Sequence, residues 1–382
     1  MKKNIYCNIF SVLVFAVCMV IGFKLTLLKP LWNDEIYTQF KTVEGHSYAA
    51  LLKGEPIEGA NSPAYYVIQK MITSAVGYHY PSFALTGQRV WDPYAQVLLR
   101  FSANVCMSLA ITLIARYCFL YFSWQAGILA VITSVSSYMV LAYWAEARPY
   151  ALWVLLSVLQ LFTLLRVIQT GRGLFHLALI HFLMVLTVTV SIGQVLAAFV
   201  VLFLSNIRNL KFLIGGVVLP LGIFIFYYLV AQSHGVLSTY EVVHPFGLLN
   251  DVFGLDRLGA MAVFGFLLWL CTRKNPIAVN QQYLWKIWNY FIGIYIFAGL
   301  VLLYFKSHEK APFQTLNSRY FIFLTPMEII VTVFTIVYVY QFIKQRCSFW
   351  RWHYVMWIVF LYVVHAMLIW KNIYKIGLFA YG

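Results

Sequence analysis

Apolar runs of about 20 residues recur down this chain, the length a helix needs to cross the hydrocarbon core of a bilayer. The first extends from about residue 5 to residue 28. Others follow at about 98–121, 124–144, 150–169, 174–191, 193–206, 212–231, 258–272, 287–305, 321–343 and 354–370, which makes about eleven. With 62% hydrophobic and only 10% charged residues among 382, too little polar sequence remains to surface a water-soluble domain. A membrane β-barrel would show short segments of alternating polarity, and these are absent. The pattern predicts an all-α integral membrane protein of about eleven transmembrane helices. They form one transmembrane domain over 1–382, with a long first extracytoplasmic loop at 29–95.

Met1-Lys2-Lys3 followed by an apolar run is also how a signal peptide begins. Here the run is longer and no A-x-A site closes it, which predicts an uncleaved first span with a cytoplasmic N-terminus. The formal charge of +15 gathers into no single basic stripe, so no nucleic-acid partner is implied. One set of loops carries Arg166, Arg172, Arg208, Lys211, Arg273, Lys274, Lys286, Lys344, Arg346 and Arg351 and no acid at all. The opposite set carries Asp34, Glu35, Glu44, Glu55, Glu58, Asp92, Glu146, Glu241, Asp251, Asp256 and Glu309. The excess of lysine and arginine marks the cytoplasmic side, so chemistry that uses the acids lies outside.

The first loop has local order of its own. Ile36, Phe40 and Val43 share a helical face. Ser62-Pro63 is a helix start, with serine as cap and proline in the first turn. Tyr65, Ile68, Ile72 and Ala75 continue one face of that helix, which is too short to span and is expected to lie along the membrane surface. A long loop built this way is a candidate site.

Asp34-Glu35 follows directly on the first span. A carboxylate there can take a proton from an incoming hydroxyl or amine, and its neighbour can orient that group or hold a cation. Two acids that are simply solvated are the competing reading. Between the third and fourth spans, Arg148 can clamp a phosphate with its planar fork, and Glu146 can orient it. A polar turn closed by Pro149 accounts for the same residues. Arg319 stands at headgroup depth before a late span, where ordinary snorkelling is the alternative. Arg89 and Arg100 flank the second span and are similarly open, and Glu328 is an acid inside a span. The histidines show no i, i+4 metal spacing. Cys7, Cys18, Cys106, Cys118, Cys271 and Cys347 show no metal or redox pattern and read as small apolar residues.

Taken in order, Trp-x-Asp-Glu at 32–35, Ser-Pro-Ala-Tyr-Tyr at 62–66, Leu-Arg-Phe-Ser at 99–102, Glu-Ala-Arg-Pro-Tyr-Ala-Leu at 146–152 and Ser-Arg-Tyr at 318–320 form a set. This set resembles the C-type glycosyltransferase superfamily, and within it the protein mannosyltransferase and aminoarabinose transferase-like branch (glycosyltransferase family 39). The likeness covers residues 1–170 well and 310–345 weakly.

The resemblance implies transfer of a sugar, with inversion, from a polyprenyl-phosphate donor to an extracytoplasmic acceptor. That acceptor could be a lipid, a glycan or a protein. It implies Asp34 as base with Glu35 completing the pair, and Arg148 and Arg319 for the lipid-linked phosphate. Glu146, Arg89 and Tyr65 complete the substrate-binding set. No cofactor is required by the resemblance, and a divalent cation at the carboxylate pair stays open. The expected setting is a bacterial inner membrane. A transporter or flippase of lipid-linked sugars and a non-catalytic envelope-assembly protein are the rival readings.

Overall fold

The computed structural model describes residues 2–57, 61–79, 92–207, 209–233, 288–300, 318–346 and 363–372. Helix α1 (Lys2–Leu28) packs along α5 (Pro93–Tyr121), which also rests on α6 (Trp124–Ser136) and α8 (Tyr150–Thr170). One side of α1 keeps Ile5, Ile9, Val12, Val17 and Val20 exposed, as lipid contact requires. Where α1 and α5 cross, Gly22 has no side chain because Asn104 and Trp144 occupy that space; a Cβ there would sit 1.7 Å from Asn104 Oδ1. The Trp144 indole N–H donates to Asn104 Oδ1 at 3.1 Å across this contact.

The chain is an all-α, multi-pass membrane protein. Five helices among the described residues are long and apolar enough to cross a membrane, or six when one bent pair counts as a span. Several expected spans are interrupted. The run at 124–144 bends by 69° between α6 and α7 (Tyr138–Trp144). The cause is local: Ser134 and Ser136 return hydroxyl bonds to Ala130 O and Thr133 O, and extended Ser137 caps α7 by accepting from Val140 N–H.

The expected spans at 174–191 and 193–206 shrink to α9 (Leu174–Thr187) and α10 (Ile192–Leu204). At 1.5 Å per residue each rises only about 20 Å, short of the ~30 Å hydrocarbon core. A short turn of 3-10 helix, Thr189–Ser191, separates them. The run at 212–231 becomes α11 (Leu210–Leu213), a π-helical turn at Ile214–Val218, and α12 (Leu219–Ser233). Later come α13 (Trp288–Leu300), a 3-10 stretch Ser318–Leu324 leading into α14 (Thr325–Arg346), and α15 at 363–372. The run at 258–272 lies outside the described residues.

The first loop is folded against the bundle. Short α2 (Asn33–Tyr37) continues through a π-helical turn, Thr38–Glu44, to α3 (Tyr48–Lys53) and then α4 (Pro63–Ala75). Gly54, at φ +79°, ends α3 in the left-handed region that favours glycine. The Tyr227 hydroxyl then fastens this corner to α12 by donating to Leu52 O at 2.7 Å.

Helix α4 turns a largely polar face inward. Tyr65, Tyr66, Gln69 and Thr73 are buried, while Ile68 is exposed and Met71 more so. The physical reason is the solvent. At a membrane surface the apolar side can remain outside, while the polar stripe needs protein partners. Gln69 finds them, donating to Leu99 O at 3.0 Å and accepting from the Ser102 hydroxyl at 3.3 Å. Ser62 does occupy the N-cap position, but its side chain makes no cap bond.

Candidate active site at the first-loop end of the bundle

The Asp34-Glu35 turn is fixed by apolar residues on either side. Leu31 and Ile36 bury against Ala95 and Leu99 of α5 and Ala147 of the loop between α7 and α8. This packing sends the two adjacent carboxylates in different directions.

Glu35 points inward and is fully buried. Its Oε1 accepts from Arg100 Nε at 2.8 Å and from the Ala147 backbone N–H at 2.7 Å. Its Oε2 accepts from Arg100 Nη2 at 2.5 Å and from the Trp32 backbone N–H at 3.3 Å. Arg100, equally buried, spends its remaining donors on the carbonyls of Thr26, Lys29 and Pro30. One bidentate pair therefore ties together the end of α1, the Asp-Glu turn, α5 and the 145–149 loop. Burial alone would raise the Glu35 pKa. The charge and hydrogen bonds of Arg100, with Lys29 and the Ala147 N–H, outweigh it and hold the carboxyl below the ordinary value.

Asp34 points outward, and its side chain is 38% exposed. Arg148, 5% exposed, stands 3.7 Å from its carboxylate and donates to Thr38 Oγ1 at 3.1 Å. Burial works against the Arg148 charge, but Tyr150, Tyr66, Asp34 and Glu146 outweigh it, so its pKa lies well above the usual arginine value. Its Nε has no hydrogen-bond partner in the protein.

Half-buried Lys29 donates to Ala142 O at 3.2 Å. Burial lowers its pKa, Arg100 lowers it further, and Glu146 and Glu35 pull it back up. The site thus gathers Lys29, Arg100 and Arg148 around Asp34, Glu35 and Glu146. It can hold an anion beside a carboxylate that water reaches.

Of the residues singled out from the sequence, Asp34, Glu35, Glu146 and Arg148 come together here. Buried Tyr65 lies next to Tyr66, their rings meeting edge to face at 5.9 Å. Burial pushes the Tyr65 phenol up, so it stays neutral. Arg319 is the second residue of the 3-10 stretch before α14, and its side chain, like the whole of Arg89, lies outside the described residues. Glu328 accepts from the Tyr295 hydroxyl on α13. Among the described residues no three His, Cys, Asp or Glu side chains are grouped as a metal would need. Cys7, Cys18, Cys106 and Cys118 are free thiols.

Sequence reasoning left Arg100 open and passed over Lys29. The available signal for Arg100 was its place in an apolar run, where an arginine needs a partner. Lys29 looked like an ordinary flanking lysine.

The chain as a whole is similar to two solved structures of ArnT from Cupriavidus metallidurans. The apo form matches with a TM-score of 0.52 at 13% identity, covering 85% of this chain and 59% of that one. The form bound to undecaprenyl phosphate matches with a TM-score of 0.51 at 13% identity, covering 85% and 60%. The chain has the ArnT fold. It spans about three-fifths of ArnT's length. No family model and no curated protein matches the sequence.

Proposed function

We propose that this chain is a membrane glycosyltransferase. It moves a sugar from a polyprenyl-phosphate donor to an extracytoplasmic lipid, glycan or protein acceptor, with inversion, and Asp34 is the base. The observation that carries the reading is the split between neighbours: Glu35 is sealed by Arg100, while Asp34 stays accessible 3.7 Å from the Arg148 guanidinium. The ArnT fold, and undecaprenyl phosphate in one ArnT structure, support a polyprenyl-linked donor.

In this mechanism Asp34 accepts the proton of the acceptor hydroxyl or amine as that atom bonds to the anomeric carbon. The carbon–oxygen bond to phosphate breaks on the opposite face, and polyprenyl phosphate departs with the electron pair. Such a donor already has a good leaving group. The enzyme needs a base, orientation and neutralisation of the developing phosphate charge. Arg148 supplies that charge, with Lys29, Arg319 and Arg89 as further cations for the donor. Glu146 orients Arg148 and Lys29, and Tyr65 contributes to substrate binding.

Glu35 acts as a positioning residue, because its oxygens are taken by Arg100 and two backbone N–H groups. The reading calls for no cofactor. It places the site on the outer face of a bacterial inner membrane, with the N-terminus cytoplasmic.

The test is donor consumption in vesicles holding equal amounts of wild type or Asp34→Asn, supplied with labelled polyprenyl-phosphate sugars. Removal of a general base costs about 10²- to 10⁴-fold in rate. Equal consumption by both proteins would move the base elsewhere, and no consumption by wild type would defeat the reading.

A further inference from the structure

Beside the charged cluster, the first loop is stitched to the tip of the short-helix pair. Asn61 forms an isolated antiparallel bridge with Val188, and the Ser62 N–H donates to Thr187 O at 3.1 Å. This junction brings together the starts of α4 and α10. Their N-cap residues are Ser62 and Ser191, and neither hydroxyl caps its own helix. Asn61, Ser62 and Ser191 are 5%, 0% and 0% exposed. Asn61 Oδ1, Ser62 Oγ and Ser191 Oγ all lack a hydrogen-bond partner within the protein.

Buried polar atoms are nearly always bonded, because leaving one unbonded forfeits its hydration with nothing in return. A serine at an N-cap has an obvious use for its oxygen in the first turn of its helix. Ser62, with an extended N-cap backbone, declines that use; Ser191 closes the 3-10 turn that runs into α10, and the amide oxygen of Asn61 completes the set. These three atoms carry hydrogen-bonding capacity that the protein itself leaves unused.

The chemistry of the junction limits what that ligand is. Residues 61–62 and 187–191 read Asn-Ser and Thr-Val-Thr-Val-Ser, with no ionisable side chain. An amide oxygen accepts, and the hydroxyls both donate and accept. This set matches the hydroxyls of a sugar ring. Among the described residues of the junction, 61–62 and 187–191, no side chain is a carboxylate for an ammonium or a cation for a uronate.

The junction also adjoins the site already described. Tyr65 and Tyr66 follow Ser62 at the start of α4 and belong to a buried apolar cluster against which Leu152, four residues beyond Arg148, packs. On the other side, Gln194, three residues beyond Ser191, accepts from the Trp153 indole N–H at 2.8 Å, one turn along α8 from Tyr150.

We propose that Asn61, Ser62 and Ser191 form a subsite for the hydroxyl groups of a neutral sugar, next to the Arg148 phosphate position. This rests on the glycosyltransferase reading and adds a substrate class to it. The hydroxyls belong either to the donor sugar or to a glycan acceptor, and kinetics separate the two.

The experiment uses the full chain in liposomes with polyprenyl-phosphate-linked neutral hexoses and pentoses, alongside amino-sugar and uronic-acid donors. Wild type is compared with Ser62→Ala, Ser191→Ala and the double variant. We expect wild type to consume a neutral-sugar donor. Each single change should raise one KM about 3- to 10-fold, the scale of one hydrogen bond, and leave the thermal midpoint unchanged or higher. A rise in donor KM at saturating acceptor places the donor sugar in the subsite; a rise in acceptor KM at saturating donor places the acceptor glycan there.

Unchanged KM values for both partners overturn the subsite while leaving the transferase reading intact. So does a midpoint that falls by several degrees, because the hydroxyls would then be holding the fold, and so does a wild-type preference for amino or uronic sugars. Wild type that consumes no donor at all overturns the transferase reading and the subsite together.

Discussion

Two buried polar networks stabilise this protein in different ways. At the first-loop end, Glu35 and Arg100 are both ionised and both fully buried, and they bind four separate segments of chain. Between α8, α9, α10 and α13 the network is neutral. Gln160 donates to His181 Nε2 at 3.0 Å and to Gln194 O at 3.1 Å, and it accepts from the Tyr290 hydroxyl at 2.7 Å. His181 completes the chain through Nδ1 to Gly216 O at 2.7 Å, in the π-helical turn.

The difference follows from how much each arrangement has at stake. A neutral amide that loses a partner in a helical bundle can often find another, so such bonds contribute little each. A buried charge that loses its partner keeps the full cost of desolvation. The charged network is therefore the brittle one. It stands where an accessible acid, Asp34, has to be held at a fixed place.

That contrast sets the order of effects. Arg100→Ala should be the most damaging single change, costing about 3–5 kcal/mol, because it strands Glu35 in a buried site. The check is the thermal midpoint in detergent, where a loss no larger than that of an exposed-loop variant would break the comparison. Gln194→Leu should cost about 1–3 kcal/mol, since it strands the Trp153 N–H that Gln194 accepts in the neutral network. Unfolding measured on the same preparation would rank the two networks.

Acid should act on the charged network specifically. The folded Glu35 pKa lies below its ordinary value of 4.5, so its contribution is fully present above pH 4.5 and is lost as the pH falls through the depressed value. Wild type should lose midpoint between neutral pH and that range. Glu35→Gln should start lower and lose less over the same range.

Much of the arrangement could be read from the sequence, for physical reasons that differ by residue. The long apolar runs announce spans because bilayer thickness fixes their length. The Asp34-Glu35 pair and Arg148 stand out because acid is scarce and confined to one set of loops. Helix breaks were not legible in the same way. Ser137 interrupts a run whose hydropathy stays high, since serine can satisfy freed backbone groups without lowering apolarity much.

The different fates of Asp34 and Glu35 were also hidden. Nothing in two adjacent acids says which will meet an arginine 65 positions away. That is decided by Leu31 and Ile36 packing on α5. The inward face of α4 was not legible for a related reason, because at a membrane surface the apolar stripe is no guide to which side meets protein.

The two adjacent carboxylates have separate jobs, and one paired measurement tests that division. Asp34→Asn and Glu35→Gln should be purified alongside wild type, with donor consumption and thermal midpoint read on the same samples. Asp34 is partly exposed, its ion pair with Arg148 is long, and buried Arg148 keeps Glu146, so Asp34→Asn should shift stability by about 1 kcal/mol or less while abolishing transfer. Glu35→Gln should lower the midpoint clearly and keep measurable transfer wherever it remains folded. The reverse pattern, with Asp34→Asn unfolding and active or Glu35→Gln stable and dead, would contradict the assignment of base and positioning residue.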